Sequence, residues 1–390
     1  MYQFTYSIPT KIIFGPDKLD KLGKELSKFG KKVLIVYGGG SIKRNGIFDR
    51  ATLSIKEAGL EYCELSGVEP NPKITSVNAG ADICRKEGID VILAIGGGSV
   101  IDCSKAISAS AAYDGDAWDI ITRKVKIGKC LPIVTILTIA ATGSEMDPVF
   151  VISNMETQQK LACGHPAVRP AVSFLDPTLT YSVSPFQTAA GSADILSHIM
   201  EDYFLDDGET MYFLDRFKEG MMKTVIKYAP IAIAEPENYE ARANLMWTSS
   251  WAINGFSGAM RKSEWSNHMM EHELSAIYDI THGLGLAILT PRWMKYVLDE
   301  TTAPKFYDFA VNVFGVDPAL SQMEAAKKGI ECLEDFLYKK LGLKSTLTEV
   351  GIDDKNIDVM AKKACNGKET LNGWKVLTPA QIAEIYRACL

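Results

Sequence analysis

Three apolar runs in the first half of the chain, Val33-Leu-Ile-Val-Tyr37, Val91-Ile-Leu-Ala-Ile95 and Pro132 to Thr138, constrain its fold most strongly. A strand with one face in water alternates apolar and polar residues. A strand covered on both faces reads as an unbroken aliphatic run. Helical spacing separates the runs, over Arg44 to Ala58, Ile74 to Lys86 and Val100 to Ala111, with an earlier helix expected over Asp17 to Phe29 and capped by Asp17. Weaker strand signals lie at Lys11 to Phe14 and Tyr62 to Leu65. Strands alternating with helices fold as a parallel sheet with right-handed crossovers. After Asp176-Pro177 the texture changes, and helices are expected over Gln187 to Leu205, Tyr212 to Tyr228, Tyr239 to Asn254 and Gln322 to Leu341. The sequence thus predicts an α/β domain with a parallel sheet at 1–183 and an all-helical domain at 184–390. A cleft between two such halves is an expected place for a ligand.

With 390 residues, the chain can bury large cores without disulfides or a structural metal. No apolar run reaches the ~18 residues a membrane span needs; Leu131 to Ala141 is interrupted by Thr135 and Thr138. The first residues, Met1-Tyr-Gln-Phe-Thr-Tyr6, lack the basic and apolar pattern of a signal peptide. Eight scattered cysteines without a C-x-x-C pair read as reduced thiols, and predict a cytoplasmic protein. A net charge of −6 disfavours nucleic acid and anionic membrane as partners.

Two loops read Gly-Gly-Gly-Ser, Gly38 to Ser41 and Gly96 to Ser99, each between a buried strand and a helix. Glycine lets a backbone approach a ligand closely, and a helix start offers free N–H groups to an anion. Such loops stand where α/β sheets bind ligands, although neither matches G-x-G-x-x-G and either could be a plain tight turn. Asp102 and Lys105 follow the second loop and, read alone, make a solvated helix face. Thr138-Ile-Ala-Ala-Thr142-Gly-Ser144-Glu145 is a third strand-to-helix segment, with small and hydroxylated residues suited to close cofactor contact.

Four of the five histidines fall between His198 and His282. Asp194 and His198 are four apart in helical sequence, as are His268 and His272, so each pair shares a helix face. A carboxylate with imidazoles suits zinc, iron or a similar divalent ion. Each histidine taken singly reads as an ordinary core or surface residue; the clustering argues for a common site. A rival reading takes His268-Met-Met-Glu271-His272 as the H-x-x-E-H pattern of a zinc peptidase, with Glu271 as general base. His165 stands apart in a proline-rich loop and is not expected to be a ligand.

Taken together these segments resemble the iron-containing (group III) alcohol dehydrogenases, in the branch of butanol dehydrogenases and broad-specificity NADPH-dependent aldehyde reductases. The likeness runs from Pro9-Thr-Lys-Ile-Ile-Phe-Gly15 almost to the C-terminus. It includes Glu69-Pro-Asn71-Pro72, Gly96 to Asp102, Ala141 to Glu145, Asp176-Pro177 and His268 to His282. The resemblance implies a Rossmann-like dinucleotide-binding domain joined to a helical metal- and substrate-binding domain, as in dehydroquinate synthase. It implies Asp194, His198, His268 and His282 as ligands of one divalent metal, iron or zinc, with His272 beside them in the proton path. Gly96, Gly97, Gly98 and Ser99 would cradle the pyrophosphate, and Asp102 would lie near the nicotinamide as a second catalytic residue. Thr138 and Thr142 would contact phosphate and ribose, and Lys160 the nicotinamide ribose; Asn71, Ser144 and Leu179 complete the implied cofactor set. Relatives that prefer NAD often carry Asp at the position of Gly39. Here Gly38, Gly39 and Gly40 offer no carboxylate, and Ser41 and Lys43 can bind a 2′-phosphate, so NADP(H) is expected over NAD(H).

The implied reaction moves hydride between NAD(P)H and short aliphatic aldehydes or primary alcohols such as butanal and butanol. Phe150, Trp251, Phe256 and Met260 are candidate lining residues, or plain core. The alternatives are a glycerol dehydrogenase- or dehydroquinate synthase-like enzyme of the same fold, and a metal or nucleotide binder without turnover. The resemblance also implies a homodimer, with Tyr2 to Ile13 as a candidate joining strand.

Overall fold

The computed structural model describes residues 4–205, 211–258 and 265–390. Its strands are β1 (Lys11–Phe14), β2 (Lys32–Tyr37), β3 (Glu61–Leu65), β4 (Val91–Gly96), β5 (Ile133–Leu137), β6 (Val149–Asn154), β7 (Gln159–Gly164) and β8 (Val172–Leu175). Six of them form one parallel sheet in the order β1-β8-β5-β4-β2-β3, while β6 and β7 pair antiparallel as a separate hairpin. The expected parallel sheet is present, and the three continuous apolar runs form three of its four interior strands, β8 being the fourth. Every residue of β4 and β5 is buried, as is β2 from Val33 onward.

Register decides what this sheet can do. Tyr37 of β2 lies beside Ile95 of β4, and Gly96 of β4 beside Leu137 of β5. The loops that follow, 38–41, 96–99 and 138–145, therefore leave the same sheet edge side by side. The chain runs from β2 outward to β3 and returns to β4 on the other side of β2. The strand order reverses there, which is where α/β sheets bind ligands.

Contacts divide the chain into two units, Ser7–Val183 with Ser249–Asn254, and Ser184–Thr248 with Gly255–Leu390 and residues 4–6. The second unit is built from helices. Its central helix, Pro185–Tyr203, starts with Ser184, whose hydroxyl accepts from the Gln187 N–H at 3.2 Å, and with proline in the first turn. From Thr188 to Tyr203 every residue is buried. The helix His282–Val297 meets it closely: a Cβ on Gly283 would lie 2.0 Å from the Ala190 carbonyl oxygen, so only glycine fits. Among the described residues no helix is long and apolar enough to cross a membrane.

The helix expected over 17–29 is shorter than its sequence suggests. Asp17 adopts φ +56° and cannot cap it; a 3₁₀ turn at Leu19–Lys21 leads into Leu22–Leu26.

Candidate metal centre and nucleotide loops

Three helices carry the histidine cluster. Asp194 and His198 sit one turn apart on Pro185–Tyr203, His268 and His272 one turn apart on Ser266–Tyr278, and His282 opens His282–Val297. Asp194 Oδ1 is 3.5 Å from His198 Nε2, 3.9 Å from His268 Nε2 and 3.7 Å from His282 Nε2. Two donors each ~2.1 Å from one ion stand roughly 3.0–3.4 Å apart at octahedral to tetrahedral angles, so the observed spacing is close to that of a shared cation. Donor atoms of Asp194, His268 and His282 all lie within 4.8 Å of one another, and His198 stacks on His268 with ring centroids 4.8 Å apart.

Hydrogen bonding supports the same fit. Asp194 Oδ1 and His268 Nε2 are buried and have no hydrogen-bond partner. Leaving such atoms unsatisfied costs about 1–3 kcal/mol each, more when charged; a divalent cation between them removes that cost.

The electrostatics are those of a site built for positive charge. Burial opposes ionisation of Asp194, yet the surrounding imidazoles of His198, His268 and His282 hold its carboxyl well below the usual carboxylate range. Desolvation pushes the His198 imidazole down to about 3 against the pull of Asp194, so it is neutral and fit to ligate. His268 also loses hydration, but the Asp194 and Glu201 carboxylates outweigh this and raise it to about 9.

Two glutamates stand behind the histidines. Glu201 Oε1 accepts from the His268 backbone N–H at 2.7 Å and faces its Nδ1 at 3.2 Å. Glu271 Oε2 pairs with His282 Nδ1, and its Oε1 accepts from the Ser275 hydroxyl at 2.5 Å. Glu201 is absent from the sequence reading, and Glu271 enters it only as a peptidase base. That use does not suit a fully buried carboxylate occupied at both oxygens. His272 lies to one side, its ring centroid 5.9 Å from that of His282 and 6.5 Å from that of His268. His165 accepts from the Ala167 N–H at 3.2 Å and caps a short 3₁₀ turn.

The α/β unit gathers most of the sequence-predicted cofactor residues at one sheet edge. At 96–98 the glycines serve close approach rather than unusual φ. A Cβ on Gly97 would lie 2.2 Å from Ile139, and one on Gly98 2.3 Å from Thr142. The start of the helix Gly98–Ser110 is thus held against the third loop. Gly40 does adopt φ +84°, and the Cβ direction at Gly39 is open. Lys43 is already engaged: its ammonium is 2.9 Å from Glu64 Oε2, which also accepts from the Tyr37 hydroxyl at 2.7 Å.

Asp102 and Lys105 do not make a solvated face. Lys105 is fully buried, donating to Ser144 Oγ (2.8 Å), Asp147 Oδ1 (2.9 Å) and the Val149 carbonyl (2.7 Å). Asp102 accepts from the Ser144 hydroxyl at 2.5 Å and the Val151 N–H at 2.9 Å, tying the third loop to β6. Burial raises its carboxyl to about 6 despite Lys105. Lys160 pairs in register with Ser153 across the hairpin, and Ser153 donates its N–H to the Pro72 carbonyl at 2.9 Å, next to Asn71. Leu179 packs in the hydrophobic core against the sheet. Phe150 is core, and Phe256 meets the rings of Tyr6 and Phe217 edge-on. Met260 and Tyr2 lie outside the described residues.

Comparison with known proteins agrees with this architecture. The family model for iron-containing alcohol dehydrogenase matches residues 9–177, and that for the C-terminal region of the Fe-containing alcohol dehydrogenase family matches residues 188–390. The chain belongs to the iron-containing alcohol dehydrogenase family. It is an oxidoreductase acting between alcohols and aldehydes. NADH-dependent butanol dehydrogenase B of Clostridium acetobutylicum is 51% identical over 99% of both chains. The NADPH-dependent aldehyde reductase YqhD of Escherichia coli is 35% identical over 93% of both. The crystal structure of NADH-dependent butanol dehydrogenase A from Thermotoga maritima superposes with a TM-score of 0.94 at 39% identity, covering 100% of this chain and 99% of that one.

Proposed function

We propose that this protein interconverts short aliphatic aldehydes and primary alcohols of the butanal and butanol class, with a nicotinamide dinucleotide and one divalent metal, iron or zinc. One observation carries the reading: Asp194 Oδ1 and His268 Nε2 are buried without hydrogen-bond partners, with His198 and His282 facing the same carboxylate. Asp194, His198, His268 and His282 are the residues that would hold the metal.

When bound, the nicotinamide supplies hydride and the metal supplies Lewis acidity toward the carbonyl oxygen. The chain's own part is position and charge. Ionised Asp194 offsets part of the cation's charge, and neutral His198 offers a lone pair. His268 gives up its proton before it ligates. His272, buried beside His282, is our candidate for delivering the proton that completes the alcohol. The helix start at Gly98 and the loops at 38–41 and 138–145 receive the cofactor's phosphates and riboses. Asp102 holds Ser144 and β6 in place there.

Cofactor choice turns on the first glycine loop. The absence of a carboxylate at Gly39 favours NADP(H), whereas the Glu64 grip on Lys43 removes the cation a 2′-phosphate would use. Relatives named for NADH and for NADPH both resemble the chain. We therefore read the site as accepting both. We also read the protein as a cytoplasmic homodimer, in keeping with eight free cysteines and with the family.

The test uses enzyme purified anaerobically and reconstituted separately with iron and zinc, with butanal and either cofactor followed at 340 nm. Metal-dependent oxidation of both NADH and NADPH is expected, and loss of metal and turnover together in His268→Ala. Full activity in metal-free His268→Ala would refute the metal site. A preference beyond a hundredfold for one cofactor would refute the dual reading.

A further inference from the structure

We infer that Glu271 is a positioning residue for the metal centre, its carboxylate holding His282 so that Nε2 faces the metal. The inference rests on the metal reading above and concerns a residue outside the ligand set.

His282 needs such a hold. Its side chain is 23% exposed, against 5% for His198 and His268, and it stands at the first residue of its helix. Glu271 supplies the hold from the neighbouring helix. Its side chain is fully buried, its Oε2 pairs with His282 Nδ1, and its Oε1 is anchored by the Ser275 hydroxyl one turn further on. A neutral imidazole has one N–H and one lone pair. A carboxylate at Nδ1 takes the N–H, which leaves the lone pair on Nε2, the nitrogen 3.7 Å from Asp194 Oδ1.

The local sequence makes room for this arrangement. A Cβ on Gly285 would lie 2.9 Å from both Cγ and Oε1 of Glu271, so a side chain there would displace the carboxylate. Gly283 allows the same helix turn to rest on Ala190, one turn before Asp194. In His282-Gly-Leu-Gly285, one glycine brings the histidine to Asp194 and the other admits the glutamate that orients it. Glu271, His272 and His282 also have donor atoms within 4.8 Å of one another, a second grouping in which Glu271 would itself be a ligand. Its commitment to His282 and Ser275 argues for the supporting role instead.

The experiment measures zinc and cobalt(II) affinity of metal-free enzyme by chelator competition, for the wild type, Glu271→Ala, Glu271→Gln, Ser275→Ala and His268→Ala. Glu271→Ala should weaken metal binding by about 10- to 100-fold and alter the visible spectrum of the cobalt form. Glu271→Gln keeps an acceptor for the Nδ1 N–H and should recover most of that loss; Ser275→Ala should show a smaller shift in the same direction. A folded Glu271→Ala enzyme with wild-type metal affinity overturns the inference, as does a Glu271→Gln enzyme that loses metal as fully as His268→Ala, since Glu271 would then be a ligand. If Glu271→Ala does not fold, Glu271→Gln and Ser275→Ala decide between these outcomes. Retention of metal by His268→Ala would instead refute the ligand assignment on which the inference stands.

Discussion

Replacing Glu64 by Gln should shift the enzyme toward NADPH. Lys43 lies 2.9 Å from the Glu64 carboxylate and over the rings of Tyr37 and Phe48, with centroid distances of 5.0 and 4.4 Å. Both side chains of the ion pair are partly exposed, so it is a weak restraint that a stronger anion can displace. A 2′-phosphate at this loop must draw Lys43 away from that partner and also tolerate a nearby carboxylate. Glu64→Gln removes the competition and the repulsion together. A gain for NADPH over NADH follows, roughly 5-fold or more in the ratio of kcat/KM values. Initial rates with saturating butanal and varied cofactor measure the ratio. Lys43→Ala should lower it, and Glu64→Gln in the Lys43→Ala background should recover little. An unchanged ratio in Glu64→Gln, or a full gain that persists without Lys43, would show that Lys43 is not the residue Glu64 restrains.

Two further outcomes concern the buried charges of the sheet unit. Lys105→Met strands Asp147, whose ion-pair partner it removes, and should cost about 3–5 kcal/mol; hydrogen exchange at β4 and β5 reads this within the unit, and a cost under ~1 kcal/mol would rule it out. Asp102 has its carboxyl raised to about 6, above the unfolded value of ~3.9, so the folded state binds the proton more tightly. Its contribution is full below pH ~4 and is lost as pH rises through 6. The stability of the wild type relative to Asp102→Asn should therefore fall by about 2–3 kcal/mol between pH 4 and 7, and a flat difference would contradict the burial argument.

Three of the four interior strands, β2, β4 and β5, are legible in the sequence because double burial erases alternation. The hairpin and β8 are not. β7 reads Gln-Lys-Leu-Ala-Cys-Gly, and its strand character comes from pairing with β6, Ser153 against Lys160, rather than from a pattern of its own. The helices that carry His268 and His282 lack a delimiting pattern as well. Ser266–Tyr278 and His282–Val297 are buried over most of their length, so neither has the polar face that marks a surface helix. Lys105 departs from its sequence pattern in the opposite direction. A lysine one turn from an aspartate reads as solvated, and only the loop folded over it shows the three acceptors that pay for its burial.

The site was legible in pairs and illegible across them. Spacing places Asp194 with His198 and His268 with His272, yet it does not say which histidine of the second helix turns toward Asp194; only the family resemblance implies His268. The supporting carboxylates show why spacing along one helix falls short. Glu201 lies three residues after His198, and Glu271 three after His268, so the same-helix rule would pair each with its own neighbour. The structure crosses them. Glu201 meets His268 on the second helix, and Glu271 meets His282 on the third. Each carboxylate thus meets a histidine of the next histidine-bearing helix, and Asp194 faces histidines from all three. A helix that shifts along its axis must then break a carboxylate–imidazole contact as well as move its own histidine. The rigidity a metal site needs is supplied between helices, where no single-helix periodicity can record it.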